Sequence, residues 1–354
     1  MTLLETTVGG LVTANPVWVG SSELTMTLGG LIACVDAGAG AVVAKSVNES
    51  AAARRQLDIA DYAFVSGTGR VRPAGAARRG DGLLNRSGLA QVDLDDWLAV
   101  LAAAVGHGAP RGRPVIGSIT LADPVAAARI GRLMAGVVPA VELNVGAPHG
   151  REAPAVRRLT EADAVHDAVR VVRDAVDAPL FVKLPGQASD VVALARAARS
   201  AGADAVGLVG RYPGFLPDLD GGAILGSWGA WGSPACLPMS LYWVSKARTA
   251  LGPGVPLVGT NGARTATDVL RFLASGARAV EVVTALWTGG PAVLAELVAG
   301  VDAYLRQRAT IRGGGLEEFV GSALAGAREY ADVPPMRSPA WLPYTARWSR
   351  SSGR

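Results

Sequence analysis

The sequence predicts an α/β protein, a (βα)8 barrel. Three observations predict it. Eight short apolar runs are spaced along most of the chain, helical patterns separate most of them, and two long polar insertions break the rhythm. Buried parallel strands read as near-continuous hydrophobic runs, and βα alternation argues for a parallel sheet covered by helices.

The expected strands are Pro16–Gly20, Ala41–Lys45, Pro114–Ser118, Ala140–Asn144, Leu180–Leu184, Ala205–Val209, Pro256–Gly259 and Ala279–Thr284. Helical periodicity covers Pro124–Gly136, Thr160–Val176, Ser189–Ser200, Pro238–Leu251, Ala266–Ser275 and Pro291–Gln307. Acidic residues follow Thr160 and Thr265, as helix starts favour. Gly202 and Gly276 sit where helices should stop. The long insertions are residues 46–112 and 210–237, after strands two and six. In a barrel they lie at the C-terminal face of the strands, where active sites are built, and read as lid or substrate elements. The expected organisation is a barrel over residues 1–310. A C-terminal segment, 311–354, carries one helix (Leu316–Ala331) and an irregular basic tail that packs on the barrel or a partner subunit.

Composition narrows the classes. Half of the 354 residues are hydrophobic, enough for a sizeable core. No apolar stretch reaches the ~18 residues of a membrane span, and the N-terminus has no signal-peptide pattern. Two cysteines make no disulfide framework, so a reduced, cytoplasmic setting is expected. Three scattered histidines argue against a metal site. The net charge of +4 is spread without a basic, aromatic-interleaved stripe, which argues against nucleic acid.

Polar residues at strand ends carry the chemistry. Lys45 closes strand two, Asn144 closes strand four and Lys183 lies inside Phe181-Val182-Lys183-Leu184. A lysine within an apolar strand is costly unless it meets an anion or polar ligand, or snorkels its head to water. Two lysines and an asparagine near strand ends favour a ligand site.

An ordered set of motifs then becomes specific. Ala14-Asn15-Pro16, Gly20-Ser21, Lys45-Ser46, Asn85-Arg86-Ser87-Gly88-Leu89, Val141-Glu142-Leu143-Asn144, Val182-Lys183-Leu184, Val258-Gly259-Thr260-Asn261-Gly262 and Glu281-Val282-Val283-Thr284-Ala285-Leu286 span most of residues 10–325. Together they resemble the dihydroorotate dehydrogenase family of FMN-dependent barrels. The resemblance implies FMN contacts from Gly20, Ser21, Lys45, Asn144, Lys183, Gly232, Gly259, Asn261, Gly262 and Thr284. Lys183 is expected beside the flavin pyrimidine edge, where a fixed cation favours hydride acceptance. The substrate loop implies contacts from Asn85, Arg86, Ser87 and Asn144, joined by Arg211, Tyr212 and Trp231 from the strand-six insertion. A homodimer is also implied.

The departures point away from orotate. Ala147 stands where the family carries its catalytic cysteine or serine, and Gly210-Arg211 replaces an Asn-Ser pair. His149, which titrates near neutrality, is the candidate acid–base group, with Lys45 and Arg211 as further catalytic candidates. Arg211 can take an anion in bidentate fashion, and the insertion tryptophans can stack on a flat substrate. The expected activity is an FMN-dependent oxidoreductase acting on CH–CH or CH–NH bonds of a non-orotate small molecule, anionic or aromatic, in specialised biosynthesis. A flavin-dependent oxygenase or redox-neutral rearrangement catalyst, and a non-catalytic ligand-binding barrel, are the alternatives.

Overall fold

The computed structural model describes residues 3–48, 55–90, 92–146, 159–335 and 341. In chain order its strands are β1 (Thr6–Val8), β2 (Leu11–Thr13), β3 (Val17–Val19), β4 (Ala41–Val43), β5 (Asp61–Val65), β6 (Val71–Pro73), β7 (Gly82–Arg86), β8 (Val115–Thr120), β9 (Val141–Asn144), β10 (Leu180–Lys183), β11 (Ala205–Leu208), β12 (Tyr212–Gly214), β13 (Gly229–Gly232), β14 (Leu257–Thr260) and β15 (Ala279–Val282). Eight of them close into a parallel barrel in the order β3-β4-β8-β9-β10-β11-β14-β15, with β15 pairing back onto β3. These are the eight strands the apolar runs predict.

The helices are α1 (Leu28–Asp36), α2 (Leu94–Gly108), α3 (Pro124–Ala135), α4 (Ala162–Arg173), α5 (Val191–Ser200), α6 (Leu237–Leu251), α7 (Ala266–Ala274), α8 (Thr284–Gly289), α9 (Ala292–Arg312) and α10 (Leu316–Phe319). Their starts follow from local chemistry. Asp123 and Asp190 accept from Ala126 N and Ala193 N at 2.8 and 2.9 Å, and Thr265 with Asp268 forms a reciprocal capping box. Gly202 and Gly276 take φ of 104° and 110° just past α5 and α7, as expected. The helix expected over 316–331 is only the single turn α10 followed by two 3-10 turns. Gly321 at φ 80° ends it, and its N–H bonds Leu273 O instead of a helical carbonyl. Leu316 and Phe319 are buried, so the first compact unit runs through Leu324; Ala325–Arg354 forms the second.

Inside the barrel, side chains alternate in layers. The lower layer is apolar: Trp18, Ala41, Val43, Ile116, Ala140, Phe181, Ala205, Val258 and Ala279 cluster there, with Trp18 stacked on Phe181 at 6.1 Å. The β1–β2 hairpin, absent from the sequence expectation, adds Val8 and Leu11 to this cluster. Two residues further along six of the eight strands, toward the C-terminal face, the inward positions turn polar: Lys45, Ser118, Glu142, Lys183, Thr260 and Glu281 are all buried. The large second core lies between the barrel and its helices.

The two insertions are more than loops. They combine into a five-stranded antiparallel sheet of order β12-β13-β7-β5-β6, stitched between insertions by β13–β7.

Candidate active site

The sequence places three kinds of groups at the C-terminal ends of the barrel strands: a buried ionic triad, a string of serines and a cluster carried partly by the added sheet.

The triad is centred on Lys183, only 9% exposed. Its Nζ meets Glu142 Oε2 at 3.3 Å and also bonds Glu281. Both carboxyls are 5% exposed or less. Burial and the neighbouring Glu142 push the Glu281 carboxyl up to about 8, although Lys183 opposes this. Lys183 is held above the usual lysine range: burial works against its charge, but the two carboxyls outweigh it. Sequence reasoning noticed the lysine and missed its partners. Glu142 and Glu281 were legible in principle as acidic residues at inward positions of apolar strands.

The serines extend from this triad. Ser118 Oγ donates to Glu142 Oε1 at 3.0 Å, Ser46 Oγ lies 2.8 Å from Ser118 Oγ, and Ser21 Oγ lies 3.1 Å from Ser46 Oγ. Ser21 is half-buried at the end of β3. Asn144 Oδ1 accepts from Gly146 N at 2.9 Å, which shapes the turn leaving β9.

The third cluster contains Lys45, Glu23, Tyr62, Asn85, Ser87 and Arg211. Lys45 Nζ donates to Glu23 Oε1 at 3.0 Å. Glu23 sits on a one-turn 3-10 helix after β3, held by a Ser22–Thr25 capping box. Arg211 donates to Asn85 Oδ1, and to Ser87 Oγ at 3.3 Å. The Tyr62 ring stacks on Trp287 at 5.1 Å, and its phenol lies within the electrostatic reach of Glu23. Burial alone would raise the Glu23 carboxyl, yet Lys45 and Arg211 pull it below its usual range. Burial depresses Lys45 and Arg211, and Glu23 offsets part of this. Burial and Glu23 push the Tyr62 phenol upward. Glu23 and Tyr62 carried no motif, so the sequence did not single them out.

Not every expected residue joins the site. Strand alternation turns Arg86 opposite to Asn85: it donates to Ile59 O at 2.5 Å, to Ser227 Oγ at 3.0 Å and to Leu225 O, and so straps the insertions together. Trp231 packs beside Leu84, on the sheet face holding Ala63 and Leu225, opposite to Asn85. Gly259 faces outward, where a Cβ would lie 2.3 Å from the Phe272 ring, so this glycine serves helix packing. Tyr212 packs on Gly186, and its buried hydroxyl has no partner among the described residues; burial pushes it up to about 12. Asn261, at φ 65°, spends its amide on Ser233 N and Gly210 O, at 3.2 and 3.4 Å. Ala147, Pro148 and His149 lie outside the described residues.

At the strand-seven and strand-eight corner, a Cβ on Gly232 would sit 3.1 Å from Thr284 Oγ1 and 3.8 Å from Asn261 Oδ1, so these three residues converge. One turn on, Trp287 presents a buried Nε1–H with no acceptor among the described residues. Its ring packs on Tyr62 and Phe64, and an unpaired buried donor of this kind fits a polar or anionic ligand group.

The family model described as dihydroorotate dehydrogenase matches residues 3–305. The chain belongs to the dihydroorotate dehydrogenase family. This makes it an oxidoreductase of the FMN-dependent kind. Among curated relatives, the catalytic subunit of dihydroorotate dehydrogenase B (NAD(+)) from Thermoplasma acidophilum is 26% identical over 306 residues, covering 85% of this chain and 93% of the relative. The proteins of the same name from Methanosarcina acetivorans and Pelobacter propionicus are 29% and 30% identical, covering 84% and 68% of this chain and 90% and 77% of theirs. Among the described residues no helix is long and apolar enough to cross a membrane.

Proposed function

We propose that this family member binds FMN and transfers hydride to or from a non-orotate, anionic small molecule. When bound, FMN supplies an N5 atom that accepts or gives hydride. Lys183, Asn144, Ser21 and the backbone at Gly20 are the groups to hold its ring system. Gly232, Gly262, Thr284 and the Trp287 indole N–H are the groups to hold its phosphate end. The unpaired Trp287 donor supports that assignment.

The observation that carries the substrate reading is the charge of the third cluster. Lys45 and Arg211 face one carboxylate, Glu23, leaving one positive charge uncompensated among these groups. A half-buried guanidinium already oriented by Asn85 and Ser87 is prepared for a carboxylate or phosphate. The roles of these residues follow: Arg211 binds the anionic group, Asn85 and Ser87 orient Arg211, and Lys45 balances Glu23. His149 is kept as the group that exchanges the proton, because Ala147 has none to give.

The relatives are named for dihydroorotate, and the departures at Ala147 and Arg211 are what support a different substrate here. A homodimer implied by the resemblance, a cytoplasmic setting read from the two cysteines, and a role in specialised biosynthesis inferred from the departures complete the proposal.

Purified protein should carry a flavin absorbance, and added FMN should raise the melting temperature of stripped protein. Dihydroorotate should leave the bound flavin oxidised. Rapid bleaching by dihydroorotate would overturn the substrate reading, and failure to take up FMN would overturn the cofactor reading.

A further inference from the structure

The Glu142–Lys183–Glu281 triad presents a charge problem that the proposed reaction does not use. One ammonium lies between two carboxyls inside a closed barrel, with an apolar layer of Trp18, Phe181 and Ile116 in the next inward positions below. Two ionised carboxylates would leave a net negative charge buried there, and an isolated buried charge is expensive. Among the described residues, the other charged groups near this level are Lys45, already paired with Glu23, and Arg211, held by Asn85 and Ser87. The remaining inward positions are uncharged: Gly20 on the β3 side, Ser118 on β8, Gly207 on β11 and Thr260 on β14. Two of these are glycines that the triad needs. A Cβ on Gly20 would lie 2.7 Å from Glu281 Oε2, and one on Gly207 would lie 3.3 Å from Lys183 Cγ.

We propose that Glu142 and Glu281 hold one proton between them across Lys183, so that the floor of the site is neutral, and that Glu281 is thereby a positioning residue setting the electron affinity of the bound flavin. The flavin half of this rests on the FMN reading above. Ser118 donates to one Glu142 oxygen and Lys183 to the other, which keeps Glu142 in its ionised, accepting form and leaves the proton on Glu281, whose carboxyl is raised. The proton also has a way out: Ser118, Ser46 and Ser21 link Glu142 to the half-buried end of β3 in steps of 3.0, 2.8 and 3.1 Å. Loss of the proton leaves Lys183 facing two carboxylates, and the added negative charge disfavours electron uptake beside it.

Infrared spectroscopy of the FMN-free protein tests the shared proton, because protonated and ionised carboxyls absorb at separate positions. At pH 7 the wild-type protein should show a buried protonated-acid band that fades as pH passes about 8. Glu281→Gln should remove it. Glu142→Gln should remove it as well, although Glu281 is still present, because Glu281 then becomes the sole counter-ion of Lys183 and ionises. A purely structural Glu281 would not respond to the Glu142 change. A wild-type spectrum indistinguishable from both variants overturns the proposal. In FMN-loaded protein, the midpoint potential should fall more steeply with pH once Glu281 ionises, and Glu281→Gln should abolish that extra fall. Identical potential profiles in wild type and variant overturn the flavin role. Should the protein take up no FMN, the flavin role falls with the cofactor reading, and the infrared arms alone decide the shared proton.

Discussion

At the scale of single residues, the site is governed by the few charged groups that the barrel buries. Lys183→Met would leave Glu142 and Glu281 facing each other without a counter-ion. Breaking a buried pair in this way costs about 3–5 kcal/mol, which denaturant unfolding should register. Lys183→Met combined with Glu142→Gln should recover part of that loss. Arg211→Ala removes a charge-assisted contact worth ~1.5–3 kcal/mol, so affinity for an anionic substrate should fall about ten- to a hundredfold. Steady-state KM on the identified substrate checks this. Folding stability should also depend on pH through two carboxyls of opposite sense. Glu281 is raised in the folded state, so there the native protein binds more protons than the unfolded chain; its contribution is present at low pH and is lost as pH rises toward about 8. Glu23 is depressed, so its contribution is present above the ordinary carboxylate range and is lost as pH falls through its folded value. Urea titrations across pH should therefore show the high-pH decline flattened by Glu281→Gln and the low-pH decline flattened by Glu23→Gln.

At the scale of elements, the added sheet forms a roof over the strand ends and owes its shape to pairing between distant segments. Trp231 packs over Gly82, on the face away from Asn85, so Trp231→Ala should loosen β5, β7 and β13 without a large change in KM. Faster amide exchange confined to these strands is the measurement, with a stability loss below the ~3–5 kcal/mol of a fully buried tryptophan. The same element shows where sequence reading ran out. The barrel strands were legible because each is buried on both faces and reads as an apolar run, such as Ala41-Val42-Val43. The roof strands were not, since β7 (Gly-Leu-Leu-Asn-Arg) and β13 (Gly-Ala-Trp-Gly) carry no clean alternation and pair with partners far along the chain. Lys45, Asn144 and Lys183 were legible as polar residues in apolar runs. Their partners Glu23, Glu142 and Glu281 required the closure of the barrel, which sets β9, β10 and β15 around one axis. Arg86 and Trp231 lie on the face away from Asn85 because a one-residue step along a strand reverses the face a side chain presents.

At the scale of the whole molecule, the barrel is sealed below. The tip of the β1–β2 hairpin lies so close to Phe181 that a Cβ on Gly9 would come within 2.8 Å of its ring, and Trp18 covers the adjoining positions. Trp18→Ala should open this seal and cost about 3–5 kcal/mol of stability, readable by thermal or denaturant unfolding. The larger consequence concerns traffic. A cup with a closed base has one rim, so reactant, product, solvent and every exchanged proton must share it. Binding of a substrate beneath the roof then corks the vessel. Deuterium entering the buried acid from solvent should slow once a tight ligand fills the rim, which makes the rate of that isotope's arrival a clock for how long the mouth stays shut.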